Sequence, residues 1–135
     1  MKKVVIAVIV CMSLFLGACK DKMVSTTYTI GCLETQYGSV TASEWQSIED
    51  YFSANVAFNK LVTFENKTAS ENDAEARAYC ERQIVKLDTA YVCSLIAGTE
   101  IDYYIYGIET LNADGSSRYI KAIKFNKDGV VDVSE

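Results

Sequence analysis

The spacing of apolar residues takes two forms along this chain. Over 45–56 and 76–87 they recur every third or fourth position, and from residue 89 to the C-terminus they recur every second. A period near 3.6 turns one stripe of a helix inward, and a period of 2 turns one face of a strand inward. A chain that reads first as helices and then as strands buries both most simply by laying the helices on one side of a sheet. The expected class is therefore α+β, two helices packed on one face of an antiparallel β-sheet that ends in a C-terminal meander.

Thr41 and Glu44 have the spacing of a capping box, and Trp45, Ile48, Phe52 and Val56 follow at helical intervals, which predicts a helix over 42–55. In that stripe Trp45 reads as a core anchor rather than a ligand platform. A second helix is expected from Ser70 as N-cap, with Glu71, Asp73 and Glu75 at its positive pole and Arg82 and Lys86 at its negative one. Ala76, Tyr79, Cys80, Gln83, Ile84 and Leu87 form its inward stripe.

Before the first helix, Tyr28, Ile30 and Cys32 alternate as the inward set of a strand, and 36–40 read as a loop. Residues 56–65 fit either a longer helix or a strand; a short strand near 60–65 is expected. From 89 onward Tyr91, Cys93 and Leu95 alternate, Gly98 closes that run, and Ile101, Tyr103 and Ile105 alternate with Asp102, Tyr104 and Tyr106. Gly107 reads as a bulge that lets the phase slip before Ile108. Turns at 112–115 and 126–129 flank a strand over 119–125, with a last edge over 130–133.

The N-terminus carries a different signal. Lys2 and Lys3 precede an apolar run of 13 residues, 4–16. As a helix this run covers only about 20 Å, against the ~30 Å of a bilayer's hydrocarbon core. It suits a signal peptide. Leu16, Gly17, Ala18 and Cys19 then resemble the bacterial lipobox, in which an apolar residue and two small ones precede a cysteine. The resemblance covers the first 19 residues and no further. It implies cleavage before Cys19, a diacylglyceryl group on its sulfur and often a further acyl chain, such as palmitate, on its amine. Two or three acyl chains, at ~0.8 kcal/mol per buried methylene, exceed what stable membrane anchoring needs. The expected organisation is a signal peptide over 1–18, a lipidated tether over 19–27 and one α+β domain over 28–135.

Lysine directly after Cys19 is unlike the aspartate that keeps many such proteins in the inner membrane. Cys19, Lys20 and Asp21 partly resemble the export tag of Bacteroidetes surface lipoproteins, and Lys22 departs from it where a second acid is expected. The expected location is the outer membrane, on its periplasmic or surface side. Helices followed by a meander also resemble the small α+β lipoproteins of the bacterial envelope, a likeness of fold alone.

Composition removes several functions. The formal charge of −5 becomes −5 − 2 = −7 once Lys2 and Lys3 leave. So acidic a surface repels phosphate backbones, and no nucleic-acid partner is expected. The chain has no histidine, hence no Ser-His or Cys-His nucleophile pair. Nothing in it asks for a cofactor or a metal. Asp114 and Asp128 sit beside glycines without the alternating acids of a calcium loop and read as turn formers.

Five cysteines include Cys11 in the leader and Cys19 at the lipid site, leaving Cys32, Cys80 and Cys93 on expected inward faces. Cys80 lies about 12 Å from the end of the second helix by helical rise, and Cys93 about 16 Å back along a returning strand. A Cys80–Cys93 disulfide is expected, against the alternative of three buried thiols.

Glu34, Glu65, Glu100, Asp102 and Glu109 supply carboxylates with no motif around them. Tyr103, Tyr104, Tyr106 and Tyr119 crowd the meander. If helices cover the Tyr103 side, then Tyr104 and Tyr106, with Tyr119, form an aromatic surface open to a partner; otherwise they cover the second sheet face or pair across strands. The expected function is that of a lipid-anchored, non-catalytic binding module that meets an envelope protein or a glycan. Two alternatives remain: a small carboxylate hydrolase or hydrolase inhibitor, and a structural subunit that pairs through a sheet edge.

Overall fold

The computed structural model describes residues 22–135. The expected signal peptide, Cys19 and the first part of the tether lie outside the described residues. Eight elements follow: β1 (Val24–Tyr37), α1 (Ala42–Asn55), β2 (Lys60–Asn66), α2 (Ala69–Ile84), α3 (Thr89–Ala97), β3 (Ile101–Leu111), β4 (Ser117–Asn126) and β5 (Gly129–Asp132). The strands form one antiparallel sheet in the order β2-β1-β3-β4-β5. The fold is α+β, as the change of period predicts.

All three helices bury their stripes on the same side of the sheet. Ile48 and Phe52 of α1, Ala76, Tyr79 and Cys80 of α2, and Val92 and Ile96 of α3 join one core with Tyr28, Ile30, Val62, Phe64, Tyr104, Tyr106, Ile108 and Phe125. Phe52 lies at its centre, stacked on Tyr104 and on Tyr106 with ring centroids 5.2 Å away in each case. The α1 capping box is present: Glu44 N donates to Thr41 Oγ1 at 3.1 Å, and Thr41 N to Glu44 Oε1 at 2.9 Å.

Four expectations need correction. Residues 91–96 are not a strand but the middle of a third helix, α3, N-capped by Asp88, whose Oδ1 accepts from Tyr91 N at 3.1 Å. Seven of its nine residues (TAYVCSLIA) are apolar, so both periods fit and alternation carries no information there. The second helix starts at Ala69 under Thr68, not under Ser70. Thr68 and Glu71 make a capping box two residues earlier than the charges alone suggest.

The first strand, in turn, begins at Val24 within the expected tether and runs to Tyr37, two residues into the expected loop over 36–40. Its polar start is held by the buried Asn72. Asn72 Nδ2 donates to Val24 O and to Thr26 Oγ1, each at 2.8 Å, and its Oδ1 accepts from Asn66 Nδ2 at 2.8 Å. Finally, Gly107 is no bulge. It stays in register with Gly31 and Ala122, while the irregularities fall at Leu33, between Cys32 and Glu34, at Asp102, opposite Gln36 and Tyr37, and at Ile120, between Tyr119 and Lys121.

Candidate functional site

Among the described residues no helix covers the second face of the sheet, and the register says what stands on it. Glu34 of β1, Ile105 of β3 and Lys124 of β4 form one row, flanked by Gly107 and Ala122 on one side and by Tyr103 on the other. Tyr119 pairs with Glu109 one step beyond. Both oxygens of Glu34 are engaged: Tyr103 OH donates to Oε2, and Tyr119 OH to Oε1 at 2.8 Å. β3 lies between β1 and β4, so Tyr119 spans β3 to reach Glu34. The position it crosses is Gly107, which offers no side chain. A Cβ there would also sit 2.3 Å from Lys121 O, so glycine serves both the close backbone and the ring above it.

Lys124 Nζ lies 4.5 Å from the Tyr103 ring centroid, a cation–π contact. The hydrogen bonds from Tyr103, then from Tyr119, hold the Glu34 carboxyl below its usual range, so it stays ionised. The same carboxylate raises the Tyr103 phenol, and burial followed by Glu34 raises that of Tyr119. Glu109 is raised by burial. The result is a polar and aromatic surface whose side chains are locked to one another. Beneath it Ile105 and Ala122 are buried, with no helix among the described residues over them.

Of the three tyrosines expected on the open face, only Tyr119 is there. Tyr104 and Tyr106 are 1% and 0% exposed and belong to the core, which corrects their assignment to a binding surface. Tyr106 OH donates to Ala57 O at 2.6 Å, and burial raises both phenols far above their usual value. The expected phase was inverted. Without a bulge at Gly107, Tyr104, Tyr106 and Ile108 form an unbroken inward set, and Tyr103 falls to the other face. Glu34 and Lys124 were not singled out as partners of the tyrosines, because cross-strand pairing brings them together and no sequence spacing encodes it.

Cys32, Cys80 and Cys93 are free thiols, so Cys80 and Cys93 are not joined. The geometry assumed for that pair needed a strand at 91–96, and α3 takes its place. The Cys80 Sγ instead lies 3.7 Å from Lys121 O, and burial pushes its thiol up to about 12. Cys93 lines a cavity of about 540 Å³ between α3 and the β4–β5 turn. The remaining carboxylates stand apart from the tyrosines: Glu65 accepts from Ser25 Oγ at 2.7 Å, and Glu100 Oε1 from Ser39 N at 3.1 Å. Asp102 and Glu100 line a second, smaller cavity with Asp128.

Among the described residues no three Cys, Asp or Glu side chains gather as a metal ion would require. No helix among them is long and apolar enough to cross a membrane. No family model, no curated protein and no solved structure matches the chain.

Proposed function

We propose that this protein is a lipid-anchored, non-catalytic binding module of the bacterial envelope, and that it meets a partner protein through the helix-free face of its sheet. The observation that carries the reading is the Tyr103–Glu34–Tyr119 bridge with Lys124 beside it. Half-exposed tyrosines are enriched at protein interfaces. Hydroxyls already held by Glu34 lower the entropy lost on binding. A small molecule or a short glycan would instead need a concave site. Neither of the two cavities above includes Glu34, Tyr103 or Tyr119. The anchor rests on the resemblance of Leu16, Gly17, Ala18 and Cys19 to the lipobox.

The test is site-specific photo-crosslinking in cells producing the full chain. Probes at Gln36 and Glu109, beside the tyrosines, are expected to give one discrete adduct that disappears when Tyr103→Ala and Tyr119→Ala are combined. Probes on the helix side, at Gln46 and Glu81, are expected to give none. An adduct that survives the double substitution, or that forms equally from the helix side, would overturn the assignment. Mass spectrometry of the N-terminal peptide tests the anchor separately: an unmodified Cys19 thiol, or retention of Met1, would end it.

A further inference from the structure

We infer that the domain stands end-on at the bilayer, resting on the end of the sheet where β1 begins; this deepens the lipid-anchor reading above and depends on it. The reach of the chain sets the geometry. Four residues lie between Cys19 and Val24, and even fully extended this stretch spans only about 18 Å. β1 holds 14 residues and, at ~3.3 Å per residue, is about 43 Å long. The two ends of the sheet are therefore unequal in their access to lipid.

Antiparallel register assigns the side chains to each end. Val24 of β1, Asn66 of β2, Leu111 of β3 and the turn over 112–116 lie at the near end, while Tyr37, Ile101 and Asn126 lie at the far end. The near end presents exposed apolar residues: Met23 and Val24 are each 40% exposed, and Leu111 is 69% exposed. Lys22 and Lys67 stand beside them in the open, and residues 20–22 carry two lysines to one aspartate. The acid in the near turn, Asp114, is engaged by Ser116 through both its backbone N–H and its hydroxyl.

The far end exposes Glu100, Asp102 and Asp128 with Lys127, and Tyr37 at 54%, while the near end carries Glu71 beside its lysines. An anionic lipid surface attracts lysines and repels carboxylates, and exposed apolar side chains gain by entering the interface. The short tether decides between the ends, and at the near one Met23, Val24 and Leu111 can enter the interface. Lying flat on the bare face would press Glu34, which remains ionised, and Glu109 toward the headgroups. The upright stance leaves the Tyr103 and Tyr119 face turned sideways. It is then open to a protein standing on the same membrane.

The test uses the full chain, extracted from membranes in detergent and reconstituted into phosphatidylethanolamine–phosphatidylglycerol vesicles containing a headgroup-spin-labelled lipid. Trp45, the sole tryptophan, packs edge-on against Tyr37 at 5.0 Å and so reports on the far end. Its emission is expected to survive the spin label. In Leu111→Trp combined with Trp45→Phe the introduced indole is expected to lose most of its emission; Met23→Trp in the same background gives a second near-end reporter should the first not fold. Vesicle-bound protein in which Trp45 is quenched as strongly as either near-end reporter would overturn the upright stance and leave the anchor standing. Protein that does not float with the vesicles and carries no lipid on Cys19 would overturn both.

Discussion

Both faces of this sheet carry tyrosines, and they use them in opposite ways. Tyr104 and Tyr106 stack on Phe52 and are withdrawn from solvent with their hydroxyls occupied. Tyr103 of the same strand, β3, and Tyr119 of β4 are instead half-exposed and tied to Glu34, with Lys124 beside the Tyr103 ring. On the inner face the rings supply buried apolar area, which stabilises the fold. On the outer face they supply ordered, accessible contact area at little cost in stability. One step along a strand decides which role a tyrosine takes.

The largest effect that probes this contrast is on the inside. Tyr106→Ala removes a buried ring and leaves Ala57 O without its donor, so a loss of about 3–5 kcal/mol is expected, read as a lower urea midpoint. Tyr103→Ala with Tyr119→Ala is expected to cost about 1 kcal/mol or less by the same measurement. Equal losses would mean that the outer face is structural after all. Asn72→Ala is expected to fall between, at about 1–3 kcal/mol, because Val24 O and Thr26 Oγ1 lose their buried donor. Hydrogen exchange should quicken first at the start of β1.

Thiols sharpen the comparison more quietly. Labelling without reductant in denaturant is expected to find Cys32, Cys80 and Cys93 all free in the mature domain. In the native protein Cys80 should stay silent at mildly alkaline pH, since burial lifts its thiol to about 12. A missing pair of thiols under denaturing conditions would restore the disulfide.

The smallest effect is electrostatic. Glu34 is held below the usual carboxylate range, so the bridge contributes above that range and is lost as pH falls through the lowered value. The phenols of Tyr103 and Tyr119 are raised, so the bridge is lost again as pH climbs through their raised values. In a tyrosinate absorbance titration, Glu34→Gln is expected to return Tyr103 toward its ordinary value. Tyr119 should move less, because burial is the first cause of its shift.

Much of this was legible in the sequence, for reasons that differ by element. α1 could be read because Thr41 and Glu44 mark its start and its stripe is bounded by polar residues. β2 could be read because Val62 and Phe64 alternate with Leu61, Thr63 and Glu65. α3 could not, because its run of apolar residues satisfies a helix and a strand alike. The start of β1 was hidden by its polarity: Ser25, Thr26 and Thr27 look like a tether until Asn72, 48 positions after Val24 in the chain, supplies the bond that holds them. The tyrosine face was inverted by a single assumption. A bulge at Gly107 made Ile108 change sides, and both phases of β3 are apolar enough to permit it. The bridge itself joins residues 69 and 85 positions apart, which only strand register can bring together.

Hydroxyl-radical footprinting of the tyrosines, done on the purified domain and in intact envelopes, tests the two-faced sheet most directly. The account predicts that Tyr103 and Tyr119 are oxidised in the purified protein and shielded in the envelope, while Tyr104 and Tyr106 stay unmodified in both. Tyr103 and Tyr119 oxidised to the same extent in both samples would contradict a partner on this face, and oxidation of Tyr104 or Tyr106 would contradict the division of the sheet itself.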